Sequence, residues 1–452
     1  MTGTTVLTIL LVLVLTRPAV AVVRFVRLPS AARRYWWPAC WHRFRWPWLA
    51  RNCQLAYIDH YHRRAGLRLP FTTAVRVNLE QRHKLRYPVA RFRADAHGLA
   101  VTVKTIPNVG RAEVEKAAPY LADAWRCHRV QIAQLRPARL LVRGLRRDPL
   151  AEPFPMEAAP AGVYSAAAES RSPGLRIYLG RDEWGTDRWA PLANITAAVV
   201  GGMPGRGKTT LAHSLLCQLA PSRAVQFAIA NGQGSSDFDA WRDRAYAYAG
   251  DDRADAAALL EDVHAEMRHR FATVLERTGH RNGWRTGPTV AFPLLFLVVD
   301  EAQSYLDEGM VKGDRQAEAH VRTCRAMLGQ LVRRGRSVML FTLIMAHKPT
   351  TDSVPSFISA NAGLRLCFGV QTIDAAVSVL GDSIRQYPTV SPVTLQDQES
   401  VGVLTAQLRT GADPYVRVRV PEVTEEAAER RALATVRSGE VLAPSPHLPL
   451  TR

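Results

Sequence analysis

"VVGGMPGRGKTT", residues 199–210, decides how this chain folds. An apolar run precedes it and a leucine-rich, helix-compatible run follows it. Within it Gly202, Gly207, Lys208 and Thr209 match the spacing GxxxxGK[ST], placed between an expected strand and an expected helix. Glycines at these places let backbone N–H groups turn inward around phosphate oxygens, and the helix N-terminus adds a favourable dipole. The stretch Gly202, Met203, Pro204, Gly205, Arg206, Gly207, Lys208, Thr209 and Thr210 is therefore the expected nucleotide cradle. Lys208 would neutralise β- and γ-oxygens of ATP, and Thr209 would offer a hydroxyl to Mg2+. Pro204, which stiffens the turn, and Arg206, which adds a cation, stand where many such loops carry small residues.

A phosphate loop needs an acidic partner on a neighbouring strand. "FPLLFLVVDEAQ", residues 292–303, delivers Asp300 and Glu301 to the C-terminal end of an apolar strand, where open α/β sheets bind ligands. Asp300 is expected to serve the Mg2+ shell, and Glu301 to orient or deprotonate the attacking water. Two carboxylates after a buried strand also suit a helix N-cap. The third element, "RGRSVMLFTLIMAHKPTTDSVP" (333–354), runs from a strand into His347 and Lys348. If that strand neighbours the acidic one, His347 lies beside Asp300 and can sense the γ-phosphate; alone, it is an ordinary loop residue.

Around these motifs apolar runs alternate with amphipathic ones. Strands are expected at 196–200, 224–230, 294–299, 338–345 and 364–370, and helices at 208–219, 252–278 and 316–334. Fully apolar strands separated by helices indicate a parallel sheet covered on both faces. Upstream, 52–150 reads as a small α+β domain, strand-strand-helix-strand-strand with its helix over 111–125. Residues 151–173, rich in Pro, Ala and Ser, read as a linker, 174–423 as the nucleotide-binding domain and 424–452 as a tail with one helix.

The chain holds 59 basic and 40 acidic residues, a formal charge of +19, which fits a polyanionic partner, nucleic acid or anionic lipid. Six cysteines (Cys40, Cys53, Cys127, Cys217, Cys324, Cys367) show neither metal-ligand spacing nor a disulfide framework. Residues 4–16 are uncharged and apolar; as a helix they rise roughly 20 Å, short of a bilayer core unless extended to Val23 past Arg17 and Pro18. A membrane anchor and a secretory signal both suit such a run. The absence of Lys or Arg before it, and Arg17, Arg24, Arg27, Arg33 and Arg34 after it, favour an anchor with the following chain in the cytoplasm. "YWWPACWHRFRWPWLAR" (35–51) holds five Trp among Arg and Pro, a composition that suits a membrane interface, a nucleic-acid surface or a packing patch. Residues 1–51 are accordingly expected to form an anchor and a juxtamembrane segment.

The ordered motifs resemble the FtsK/SpoIIIE family of DNA-pumping ATPases, in particular its actinobacterial conjugative-transfer (Tra-like) branch, over about residues 140–420. "GGMPGRGKTT" corresponds to the family's phosphate loop and "LFLVVDEAQSYL" to its acidic strand. "MAHKPTTDSVP" corresponds to its Ala-Thr-Gln-Arg-Pro segment, and "SANAGLRLCFGVQTIDAAVSVLGD" to the stretch after that segment. The resemblance implies a RecA-like P-loop motor domain, ATP and Mg2+ as cofactors, and a homo-hexameric ring at the cytoplasmic membrane. It further implies double-stranded DNA as cargo and other transfer proteins as partners. It departs from the family at Asn231 and Gln233, which replace an acid and a base, and at His347 and Lys348, which replace Gln and Arg. Arg365 matches an Arg that reaches a neighbouring subunit's ATP, or is a surface Arg at a strand end. No winged-helix module fits into the tail. The function expected is ATP-driven DNA transfer between cells. The alternatives are a septal chromosome pump, a type VII-like protein secretion ATPase and a nucleotide-dependent membrane scaffold.

Overall fold

The computed structural model describes residues 23, 25–65, 78–160, 163, 176–347, 355–408 and 414–435. The expected anchor over residues 4–23 falls almost wholly outside them, as do Lys348 and the end of the tail. Among the described residues no helix is long and apolar enough to cross a membrane. The chain divides into two compact units, 1–149 and 150–452.

In the first unit a helix, Trp36–Asn52, precedes a hairpin of β1 (Tyr57–Ala65) and β2 (Asn78–Arg86). Then come β3 (Val89–Ala94), β4 (Gly98–Lys104), the helix Arg111–Trp125, β5 (Arg129–Arg136) and β6 (Arg139–Leu145). These last four strands form an antiparallel sheet in the order β3-β4-β6-β5. The Arg111–Trp125 helix starts where Glu113 accepts a bond from the Gly110 N–H at 2.8 Å, and buries Val114, Ala117, Leu121 and Trp125. The Arg/Trp stretch is part of the same core: Ala39, Trp46, Leu49 and Ala50 are buried, and Trp46 Nε1 donates to Pro88 O at 2.7 Å. Trp37, Trp41, Phe44 and Trp48, spaced at helical intervals, form an exposed stripe on the same helix. The stretch thus divides its aromatics between packing and surface. The sequence places residues 35–51 with a juxtamembrane segment; in the structure Ala39, Trp46, Leu49 and Ala50 pack in the core of the first unit. Pro38 sits in the first turn, where no intrahelical donor is lost, and burial around Trp46 outweighs the bond missing at Pro47.

The second unit is built on a ten-stranded sheet. Its strands are β7 (Arg176–Asp182), β8 (Asp187–Pro191), β9 (Ala197–Gly201), β10 (Val225–Asn231), β11 (Ala247–Ala249), β12 (Leu294–Asp300), β13 (Leu340–Ala346), β14 (Leu364–Phe368), β15 (Val403–Gln407) and β16 (Tyr415–Arg419). They lie in the order β11-β10-β12-β13-β9-β14-β15-β16-β7-β8. The first six run parallel, and β9, β10, β12 and β13 are buried along their whole length. Helices Lys208–Leu219, Arg253–Thr278 and Arg315–Arg334 start within a residue of the expected positions. Asp252 caps the second, accepting from Ala254 N at 2.7 Å, and Asp314 caps the third, accepting from Gln316 N at 3.0 Å.

The expected parallel sheet is present as the first six strands of this order, and the full sheet is mixed. β15, β16, β7 and β8 extend it antiparallel: short connections make hairpins of β15–β16 and of β7–β8, while the β14–β15 and β16–β7 pairings join strands remote in sequence. The β7–β8 turn is set by Asp182, whose Oδ1 accepts from Trp184 N and Thr186 N, each at 2.8 Å. The expected linker is also shorter at its start. Leu150 packs with Leu395 and Val403, and Glu422 N donates to Phe154 O at 2.8 Å, so these residues belong to the second unit. The helix Glu425–Leu433 buries Ala428 and Ala432, and Arg431 Nε donates to Cys217 O of the Lys208–Leu219 helix at 3.2 Å.

Candidate functional site

Strand order assembles the site. β13 lies between β9, which ends in the phosphate loop, and β12, which ends in Asp300. Ala346 of β13 aligns with Gly201 of β9, so the next residue, His347, emerges between the loop and the acidic pair.

The loop turns over Gly205 and Gly207, at φ 70° and 103°, before the helix begins at Lys208. At Gly207 a Cβ would stand 3.1 Å from the Cα of Gly402, so a side chain there is disfavoured twice, by strained conformation and by a tight contact. Met203 N donates to Gly369 O at 2.9 Å and Gly402 N to Arg206 O at 3.1 Å, which pins the loop on both sides. Arg206 does not reach into the cradle. Its guanidinium donates to the carbonyls of Asp397, at 2.6 Å, and Gln396. The unusual residue of the motif therefore ties the loop to the segment before β15. Pro204 is exposed, and Thr209 and Thr210 are half-buried in the first helical turn.

Lys208 is buried, and its Nζ donates to Gly202 O at 3.0 Å and Met203 O at 3.1 Å. Burial lowers its pKa, opposed by the charges of Glu301 and Asp300. Asp300 and Glu301 are 2% and 5% exposed, too little for water to solvate two carboxylates. Burial and the adjacent Glu301 push Asp300 up to about 6, while Lys208 and His347 act the other way. A buried anion in this state gains from any cation brought to it.

Glu301 has φ 46°, a left-handed conformation that costs a non-glycine residue on the order of 1–2 kcal/mol. Its carboxylate is held at both oxygens: Oε1 pairs with His347 Nε2, and Oε2 accepts from Gln303 Nε2. The position of Glu301 is thus fixed by backbone strain and by two side chains. Gln303 has no sequence signal beyond its place two residues after Glu301.

Asn231 lies directly across from Asp300 in the β10–β12 register. It is buried, and its Nδ2 donates to Ser235 O at 2.7 Å and Tyr248 Oη at 3.2 Å, while Gln233 is exposed in the following turn. Arg365 belongs to β14, which is separated by β9 from the strands that deliver Asp300, Glu301 and His347. It sits on β14 opposite Val199, and its Nη1 lies 2.8 Å from where a Cβ of Gly381 would stand. His213, on the phosphate-loop helix, has no motif around it that would single it out in the sequence. It is buried beside Phe238 and Trp241, accepts from Trp241 Nε1 at 3.1 Å, and is lowered to about 4 by burial.

The chain is similar in structure to the pCW3 conjugation coupling protein TcpA in its monomer form with ATPγS. The match has 16% identity and a TM-score of 0.51, over 77% of this chain and 93% of that one. It is also similar to the cytoplasmic domain of the Thermomonospora curvata type VII secretion ATPase EccC, at 16% identity and TM-score 0.46, over 62% of this chain and 34% of that one. ATPases 2 and 3 of EssC from Geobacillus thermodenitrificans give 15% identity and TM-score 0.44, over 59% and 49%. No known family profile and no curated protein matches the chain. The likeness is one of fold, shared with the ATPγS-bound coupling protein.

Proposed function

We propose that a chain with this fold is one subunit of a hexameric, membrane-anchored ring that hydrolyses ATP to drive double-stranded DNA through its pore. The DNA moved is that of a plasmid or integrated element passing between cells. The observation that carries this reading is the site itself: a phosphate loop, a buried Asp300, and a Glu301 held at both oxygens by His347 and Gln303. The likeness in fold to a conjugation coupling protein and the excess of basic residues support the choice of cargo.

In such a motor the N–H groups from Gly205 to Thr210 receive the phosphates, and Lys208 exchanges its carbonyl partners for β- and γ-oxygens. The oxygen donors suit Mg2+: Thr209 stands in the first turn, and Asp300 is a buried carboxylate whose charge lacks solvation. Bound there, the ion neutralises phosphate charge. Glu301 orients the attacking water and accepts its proton, and His347 positions Glu301. Arg365 is the candidate cation for the ATP of a neighbouring subunit, a role for which its place on β14 beside the Gly381 turn leaves room. Residues 4–23 hold the ring at the membrane, and the stripe of Trp37, Trp41, Phe44 and Trp48 supports this by presenting aromatic rings suited to a headgroup layer.

The test is displacement of a third strand from a DNA duplex. Wild-type protein with ATP should strip it, and Glu301→Gln should bind ATP and fail. A Glu301→Gln variant that retains full function in transfer would mark the chain as a nucleotide-dependent scaffold and overturn the proposal.

A further inference from the structure

The first unit carries a surface that the motor chemistry leaves unused. One face of the β3-β4-β6-β5 sheet is its core side, where Phe92 meets Trp46 and Trp125, and Val101, Val103, Leu140 and Val142 are buried. Alternation sends the remaining residues to the other face. Register places them in four rows: Val89, Lys104, Arg139 and Arg136; Arg91, Thr102, Leu141 and Ala133; Arg93, Ala100, Arg143 and Gln131; and, at the far end, Gly98, a buried Leu145 and Arg129, which pairs with Asp148 at 2.5 Å. Asp95 neutralises Arg143 at 2.5 Å. Arg91, Arg93, Lys104, Arg136 and Arg139 have no acidic partner among the described residues.

We propose that this open sheet face binds the phosphate backbone of double-stranded DNA, without reading bases. The inference rests on the DNA-motor reading, which names the polyanion, and adds a contact outside the motor. Strands are rigid supports: Arg91 and Arg93 stand about 6.8 Å apart along β3, and neighbouring strands are about 4.8 Å apart. A planar guanidinium pairs with phosphate through two bonds, so such an array grips a repeating phosphate chain. The floor between the cations, Ala100, Thr102, Ala133 and Leu141, carries no aromatic ring on which single-stranded bases would stack. Lipid-inserting chemistry lies elsewhere in the unit. The exposed Trp stripe is on a helix that covers the opposite face, and the exposed Val89 and Leu135 stand at the margins of the sheet.

The experiment is fluorescence anisotropy of a short labelled duplex with the full chain in detergent micelles, across a salt series. Each phosphate contact contributes about 0.9 to the slope of log affinity against log salt, so Arg91→Gln, Arg93→Gln and Arg139→Gln together should lower it by about 3. Affinity at moderate salt should fall on the order of tenfold or more. ATP hydrolysis without DNA and the melting curve should stay unchanged, and Arg43→Gln with Arg45→Gln should retain the wild-type slope. A triple variant with wild-type affinity and slope overturns this inference and leaves the motor reading standing. So does a loss confined to micelles containing anionic phospholipid, which would assign the face to lipid. Failure of the wild-type chain to bind duplex at all overturns both.

Discussion

Replacing Asp300 by Asn should stabilise the nucleotide-free protein while abolishing its activity. Burial and the neighbouring Glu301 push Asp300 from an ordinary value near 3.8 up to about 6. With the folded pKa above the unfolded one, the fold prefers the neutral acid. Below about pH 3.8 both states hold the proton and the group costs nothing. As pH rises from there through about 6 the folded state is progressively destabilised, and above that the cost is constant. The interval is about two pH units at about 1.4 kcal/mol each, so the cost near neutral pH is about 3 kcal/mol, and about half of that near pH 5. Asn carries no charge at any pH and removes it. Lys208 keeps Glu301, the larger of its two carboxylate influences. For a unit of this size the gain near neutral pH corresponds to roughly 6 °C in melting temperature. Thermal denaturation without nucleotide and with a chelator, at neutral pH and near pH 5, measures it, and ATP hydrolysis by the same variant should be lost. A variant no more stable than wild type at neutral pH, or a gain equal at both pH values, would refute the reasoning.

Other substitutions probe the remaining parts of the site and fold. His347→Ala frees one oxygen of Glu301, so steady-state hydrolysis should fall by roughly 10–100-fold while nucleotide affinity changes by less than about twofold. Gly207→Ala forces a side chain into φ 103° against Gly402, which should cost on the order of 1–2 kcal/mol and weaken ATP binding in titration calorimetry. Trp46→Ala should destabilise the first unit by about 3–5 kcal/mol in chemical denaturation. Trp37→Ala, on the exposed stripe, should change stability by less than about 0.5 kcal/mol and lower association with anionic vesicles.

Where several levels of the sequence agreed, the structure was legible. A glycine-rich loop between a buried strand and a helix, and six apolar residues delivering two carboxylates, each have one economical arrangement, and β9 and β12 adopt it. A place for His347 beside Asp300 was legible only conditionally, since strand adjacency is a long-range property; β13 between β9 and β12 brings it to the acidic pair, where it bonds Glu301. Antiparallel strands such as "YVRVR" in β16 are short and carry Arg, so no continuous apolar run announces them. Arg419 is buried there by donating to the carbonyls of Leu150, Val401 and Glu399, contacts remote in sequence. The left-handed Glu301 and the turn of Arg206 away from the cradle have no local signal either: one is imposed by the site, the other by carbonyls nearly two hundred residues on. The helix Trp36–Asn52 was hidden by its prolines and by apolar residues on both its faces.

The function proposed for this site is the movement of DNA. Its most direct test is the rate of ATP hydrolysis by the full chain in detergent, with and without double-stranded DNA, over a range of salt. DNA should raise the rate severalfold at low salt, an effect that fades as salt displaces the protein from phosphate and that is absent in Glu301→Gln. Equal rates with and without DNA at every salt concentration would contradict the claim.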